Sequence, residues 1–322
     1  MCALNLEQAV ESYLEYKISL GLHFRQESWL LRHIQKQILE NGRVELDAIA
    51  YERWNNSIKN RHSNTRRKWQ QIVYNFCLYR RRSDPTVFVP EAEGFARKRP
   101  YVTPVIVEPE QISRMLTVAT GLSSSNRSFP LRGPCMRLAV VLLYTCGLRL
   151  GELLRLKLSD VEEGGSVLRI RESKFHRSRL IPLSESAAGE LRAYLDTRRA
   201  LASTKADAPL LCNRFGGTLH PYSHPGMQAA LINLFDAAGV RDEYGRRPRV
   251  HDIRHSFALQ ALIRWYRQRA DVQSKLPMLA LYMGHTSIES SAYYLKWVPT
   301  LRRLASTRFE ERFGYLVEGE SL

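Results

Sequence analysis

His251-Asp252-Ile253-Arg254-His255, then Met283-Gly284-His285 and, nine residues later, Tyr294: the rest of this 322-residue chain is organised around that stretch. It collects an arginine, three imidazoles and a phenol. A second arginine stands far upstream in Gly147-Leu148-Arg149-Leu150-Gly151-Glu152, and Lys174 lies between two short apolar runs. Two arginines, a lysine, histidines and one tyrosine suit a phosphodiester attacked directly by the phenol. Guanidinium forks match phosphate oxygens, so neither a metal nor another cofactor is needed.

Working outward, Cys135 to Cys146 is apolar on most faces and predicts a central helix, ended by Gly147 just before Arg149. From Ser166 to Leu183 the texture changes. Val167, Leu168 and Ile170 precede Glu172 to Ser178, and Leu180, Ile181 and Leu183 follow, which predicts a hairpin with Lys174 in or near its connection. Helices are expected at Ser184 to Ala202, Tyr222 to Ala238 and His251 to Arg269. A segment led by Pro277 then runs to Met283, and Ile288 to Lys296 carries the tyrosines on a helix or turn. Glu108-Pro109-Glu110 opens this second domain, with proline and two carboxylates suited to a first helical turn.

The N-terminal region reads as a small helical bundle. Apolar residues recur at three and four positions through Leu6 to Ile18 and Trp29 to Ile38, with Gly21-Leu22 between the two helices. A third helix is expected from Leu46 to Ile58, and a fourth from Thr65 to Tyr79, capped by Asn64 or Thr65. Prolines and the basic cluster Arg97-Lys98-Arg99 mark residues 84–107 as a linker. The fold class is thus mainly α with a small β-hairpin or sheet: a helical domain (1–83), a basic linker (84–107) and a second domain (108–322). No internal repeat is found.

Charge points to a polyanion. Forty-eight Lys and Arg face 32 Asp and Glu, a net +16, and from Arg53 to Arg82 there are nine basic residues and no acidic one. Arg66, Arg67 and Lys68 open the fourth helix and Arg80, Arg81 and Arg82 close it. With Arg97, Lys98 and Arg99 they form the candidate phosphate-tracking surface. Five cysteines without a CxxC pair suggest neither a disulfide framework nor a zinc site. With no signal peptide and no bilayer-spanning apolar run, a membrane partner is not expected and the compartment is read as cytosol or nucleoid.

The ordered set Gly147-Leu148-Arg149-Leu150-Gly151-Glu152-Leu153, Lys174 before Arg179-Leu180-Ile181-Pro182-Leu183, His251-Asp252-Ile253-Arg254-His255, and Met283-Gly284-His285 with Tyr294 resembles the motifs of the tyrosine recombinases, the phage-integrase and Xer-type family. The helical domain and basic linker resemble that family's SAM-like core-binding domain, so the likeness covers nearly the whole chain. It implies Arg149, Lys174, His251, Arg254 and His285 as the activating set and Tyr294 as nucleophile, with Glu152 and His255 supporting from behind. Lys174 lacks the glycines that commonly flank the family lysine, so Arg177 or Arg179 are candidates to share its task.

The chemistry of these residue types agrees with the resemblance. Only about 0.1 % of a free tyrosine is phenolate at neutral pH, so the attack needs cations and a proton acceptor nearby. Arg149 and Arg254 suit the non-bridging oxygens, His251 the phenol proton, His285 an oxygen, and Lys174 the leaving 5′ oxygen. The resemblance further implies double-stranded DNA as partner, a dimer on each site and a tetramer in synapsis, and leaves room for a second recombinase or an accessory protein. In Val298 to Phe313 an apolar stripe (Leu301, Leu304, Ala305, Phe309, Phe313) must be buried on its own domain or on a neighbour, and the resemblance implies docking on the next subunit. Readings to be distinguished are a type IB topoisomerase-like enzyme, a lapsed architectural DNA-binding protein, a metal site on His251, His255 and His285, and Tyr293 as nucleophile.

Overall fold

A computed structural model describes residues 5–22, 24–100, 102–122, 130–171, 178–201, 204–215 and 218–284, together with 306, 307 and 310. The chain divides into two units, Met1–Val102 and Thr103–Leu322.

The first unit is built from α1 (Leu6–Ser19), α2 (Arg25–Glu40), α3 (Ala48–Ser57) and α4 (Ser63–Arg81). Asn5 starts α1 with a reciprocal cap: its side chain accepts from Gln8 N (2.8 Å) and Gln8 Oε1 accepts from Asn5 N (3.2 Å). Asp47 caps α3 by accepting from Ala50 N at 2.7 Å. The helical spacing buries Val10, Tyr13 and Leu14 against Leu30, Ile34 and Ile38 and against Ile72, Val73 and Phe76. Each such large apolar side chain contributes about 1.5–3 kcal/mol on leaving water.

α4 begins two residues earlier than expected, capped by His62. Asn64 is therefore inside the helix, and its Oδ1 accepts from Arg99 N at 2.8 Å. Residues of the expected linker are held on this unit by further contacts. Ser63 Oγ donates to Arg97 O, Arg67 Nη1 to Ala96 O (3.2 Å), and Ala96 N to Gln70 Oε1 (2.8 Å). Phe95 packs edge-on against Tyr74, and Phe88 lies tilted against Tyr51.

The second unit centres on α6 (Arg132–Thr145), buried from Met136 through Leu143 apart from half-buried Arg137. Against it pack α5 (Pro109–Gly121), α8 (Glu185–Arg199) and α10 (Val250–Arg267). The short α7 (Leu150–Arg155) follows α6, and α9 (His224–Ala237) covers α5 and α7. A three-stranded antiparallel sheet runs β1 (Val161–Glu162), β2 (Val167–Ile170), β3 (Arg179–Pro182), with Leu168 opposite Ile181 and Ile170 opposite Arg179. The hairpin is thus where the apolar runs place it.

Two features depart from the sequence reading. A second antiparallel pair, β4 (Cys212–Phe215) with β5 (Thr218–Pro221), stands before α9, where the sequence reading places no element. The last described helix, α11 (Val272–Met283), starts well before Pro277, at the cap Asp271, whose Oδ1 accepts from Gln273 N and Ser274 N. Pro277 removes one helical hydrogen bond, but it lies on an exposed face of the helix.

Candidate active site

Gly147 turns the chain from α6 into α7 with φ +59°, a left-handed value that glycine tolerates. A Cβ here would also lie 2.4 Å from Phe257 Cδ1, so the close approach to α10 needs the missing side chain as well. The turn sets Arg149 at the N-cap of α7, with its backbone N–H donating to Glu152 Oε2 (3.0 Å). Its guanidinium donates from Nη1 to Glu152 Oε1 (2.7 Å) and from Nη2 to Gly284 O (2.9 Å).

Arg254, on the buried face of α10, is 1 % exposed. It donates to Gly147 O and, from Nη2, to Met283 O at 2.6 Å. Helical spacing sets His251 and His255 one turn apart, their rings edge to face at 4.8 Å. His255 is buried, and burial followed by the neighbouring His251, Arg249 and Arg254 pushes its pKa down to about 4. His251 reaches solvent; desolvation by the protein around its ring and the charge of Arg254 lower its pKa from 6.5. At neutral pH both imidazoles are uncharged, the form that accepts a proton.

The α10 end bearing these side chains is itself pinned. Asp252, 1 % exposed, accepts from Arg249 N (2.9 Å) and from its guanidinium (2.8 Å). Ser256 Oγ donates to Asp252 O and accepts from Val107 N, both at 2.8 Å, so the incoming chain of this unit is tied to the same helix.

Glu152 is the hub. Its side chain is 1 % exposed, and Arg179 reaches it from β3 with Nη1 to Oε1 (3.2 Å) and Nη2 to Oε2 (2.9 Å). Burial alone would raise its pKa; hydrogen bonds and charge from Arg179, with Arg149 beyond, overrule that and hold it at about 2. Arg179 Nε also donates to Tyr282 O at 2.8 Å. Three consecutive carbonyls at the end of α11, Tyr282, Met283 and Gly284, therefore each accept one arginine: Arg179, Arg254 and Arg149. These are the oxygens a helix leaves without internal partners, at its negative end.

Lys174, His285 and Tyr294, with Tyr293 and the expected docking stripe, lie outside the described residues. The described flanks of the Lys174 segment are both anchored to buried carboxylates, Arg171 on Asp160 and Arg179 on Glu152. Sequence reasoning did not anticipate the Asp160 pair. Its signal is the cap formed when Lys157 N donates to Asp160 Oδ2 (2.9 Å). Arg179, a candidate to share the task of Lys174, is turned onto Glu152 and Tyr282 O, and Arg177 lies outside the described residues.

On the first unit, contacts from α4 set Arg97, Lys98 and Arg99, all exposed, beside the opening turn with exposed Arg67 and Lys68 and half-buried Arg66. Lys68 Nζ donates to Gln26 Oε1 at 3.0 Å. Arg81 and Arg82 are exposed at the other end of α4. Arg80 is a correction to the expected surface. It points inward, its side chain 7 % exposed, and forks onto Glu45 at 3.0 and 2.6 Å, because that turn of α4 faces the core.

Residues 106–298 match the model of the phage integrase family, and that match takes in Arg149, Lys174, His251, Arg254, His285 and Tyr294 together. The chain belongs to this family of tyrosine recombinases. This recombinase is 31 % identical over 310 residues to an integrase/recombinase-type sequence, y4rB, of Sinorhizobium fredii (strain NBRC 101917 / NGR234), covering 95 % of its own length and 97 % of the relative. It is 28 % identical over 252 residues to the tyrosine recombinase XerD of Rhizobium meliloti (strain 1021), covering 78 % and 74 %. Among solved structures, a lambda integrase tetramer bound to a Holliday junction superposes with TM-score 0.60 at 16 % identity, over 91 % of this chain and 78 % of that one. As a tyrosine recombinase the chain is an enzyme of DNA strand cleavage and rejoining. The first unit lies ahead of the family match, and the y4rB relative spans it.

Proposed function

We propose that the protein is a site-specific DNA recombinase that cuts and rejoins strands through a 3′-phosphotyrosyl intermediate, in integration, excision or transposition of a mobile element. One observation carries the reading: Arg149 and Arg254, over a hundred residues apart in sequence, close on adjoining carbonyls at the end of α11, immediately before His285.

In this mechanism the Tyr294 phenol oxygen attacks the scissile phosphorus, and the bond from phosphorus to the 5′ oxygen breaks. Arg149 and Arg254 offset the charge that grows on the non-bridging oxygens. His251, uncharged at neutral pH, takes the phenol proton; His285 donates to an oxygen; Lys174 protonates the leaving 5′ oxygen. Glu152 and His255 hold this set from behind. The phosphodiester energy stays in the phosphotyrosyl bond, so a free 5′ hydroxyl can reverse the step without ATP or metal.

The basic triplets of the first unit would follow the DNA backbone. A homotetramer in synapsis is supported by the amphipathic tail and by the tetrameric lambda integrase neighbour, and the working compartment would be the cytoplasm. Among the described residues no helix is long and apolar enough to cross a membrane.

The test is a denaturant-resistant protein–DNA adduct on nicked fragments from the ends of the protein's own genetic element, in a chelator. Adduct from wild type and Tyr293→Phe, with none from Tyr294→Phe, is expected. Loss only in Tyr293→Phe would move the nucleophile; no adduct on any fragment despite tight binding would overturn the reading.

A further inference from the structure

A third arginine stands in the site without a part in the mechanism above. Arg179 opens β3, and its side chain is 9 % exposed. Nε, Nη1 and Nη2 all donate to protein groups: Tyr282 O at 2.8 Å, Glu152 Oε1 at 3.2 Å and Glu152 Oε2 at 2.9 Å. Each of its three guanidinium nitrogens is thus engaged by a protein group. It touches both the carboxylate that holds Arg149 and the helix end that leads to His285.

The charge count gives this contact a purpose. Glu152 carries one negative charge, shared between Arg149 and Arg179. Paired with Arg149 alone, the buried carboxylate would cancel that cation. With Arg179 present the three groups keep a net positive charge, and Arg149 retains attraction to offer a phosphate. The fit at the helix end is equally specific, since a Cβ on Gly284 would lie 2.7 Å from Arg179 Nη1.

We infer that Arg179 is a positioning residue for strand cleavage: by occupying Glu152 and the Tyr282 carbonyl at once, it fixes Arg149 and the end of α11 where they receive the scissile phosphate. The inference rests on the reading of this site as a strand-cleavage centre.

Full-length wild type, Arg179→Gln, Glu152→Gln and the double variant would be compared in single-turnover adduct formation on the nicked fragments, from about pH 5 to 9. DNA affinity and Tm would be measured alongside. Arg179→Gln is expected to bind DNA as wild type does and to cleave about 100-fold more slowly, the scale on which small misplacement of a catalytic group acts. Beyond the pH dependence that His251 gives every variant, its cleavage should gain a further loss at acid pH that Glu152→Gln abolishes, and the double variant should be no slower than Arg179→Gln.

Losses that multiply in the double variant, or a loss equal at every pH with a lowered Tm, would overturn the inference in favour of direct or purely packing roles. Wild-type cleavage by Arg179→Gln would overturn it too, leaving the functional reading intact. Absence of adduct from wild type would instead sink that reading and this inference with it.

Discussion

Arg149 Nη2 lies 2.9 Å from Gly284 O, across 135 positions of sequence. The contact closes the N-cap of α7 on the C-terminal turn of α11, with Arg254 of α10 on the neighbouring carbonyl. Motifs that are separate in the chain thereby become one site. What joins them is main-chain oxygen left over by helix geometry, together with one buried carboxylate.

Gly284 should tolerate no side chain. Its φ of +66° is strained for any other residue, and the added Cβ would press on Arg179. Gly284→Ala is expected to cost more than about 1 kcal/mol, a fall in Tm of about 2–4 °C per kcal/mol for a unit of this size, and to slow adduct formation. Scanning fluorimetry and the cleavage assay check this; an unchanged Tm would contradict the assigned backbone.

Acid should weaken the fold in two windows. His255 has its pKa lowered from 6.5 to about 4, so the unfolded chain takes the proton first, and stability present above pH 6.5 is lost as pH falls through 4. Glu152 is lowered from 4.5 to about 2, so its contribution persists above pH 4.5 and is lost as pH falls towards 2. His255 ring resonances should therefore keep their neutral-form positions from pH 8 to about 5. Glu152→Gln should flatten only the lower limb of Tm against pH. A His255 midpoint near 6.5 would show that the pocket is more open than described.

The first unit predicts a division among its arginines. Arg97→Ala and Arg99→Ala should each reduce the salt dependence of DNA affinity, lowering the slope of log K against log salt by about 1 per lost phosphate contact, without changing Tm. Arg80→Ala should do the reverse. It removes a buried side chain that packs in the core and forks onto half-exposed Glu45, destabilises by about 0.5–3 kcal/mol and leaves the slope alone. Fluorescence anisotropy over a salt series separates the two outcomes.

Much of this was legible in the chain. The spacing of Leu6 to Ile38 and of Cys135 to Cys146 delivers helices, with Ile18 and Trp29 exposed although the apolar recurrence includes them, and the apolar runs around Lys174 pair in register. The arginine and histidine motifs converge because they sit at helix ends and on one turn of α10. What escaped detection depends on partners distant in sequence. Arg80 reads as one more surface cation until Glu45 is found opposite it. Arg179 reads as a candidate to share the task of Lys174 until Glu152 and Tyr282 O are found around its head. The cap at Asp271 outweighs Pro277, which local propensity alone treats as a beginning.

The carbonyls that receive Arg149, Arg179 and Arg254 belong to the backbone, so substitution at Tyr282 or Met283 does not delete an acceptor. In a saturation scan these two positions should follow packing preference and little else. The arginines and Gly284 should show near-complete intolerance, and the site's tolerance of sequence change would be sharply uneven along a single helical turn.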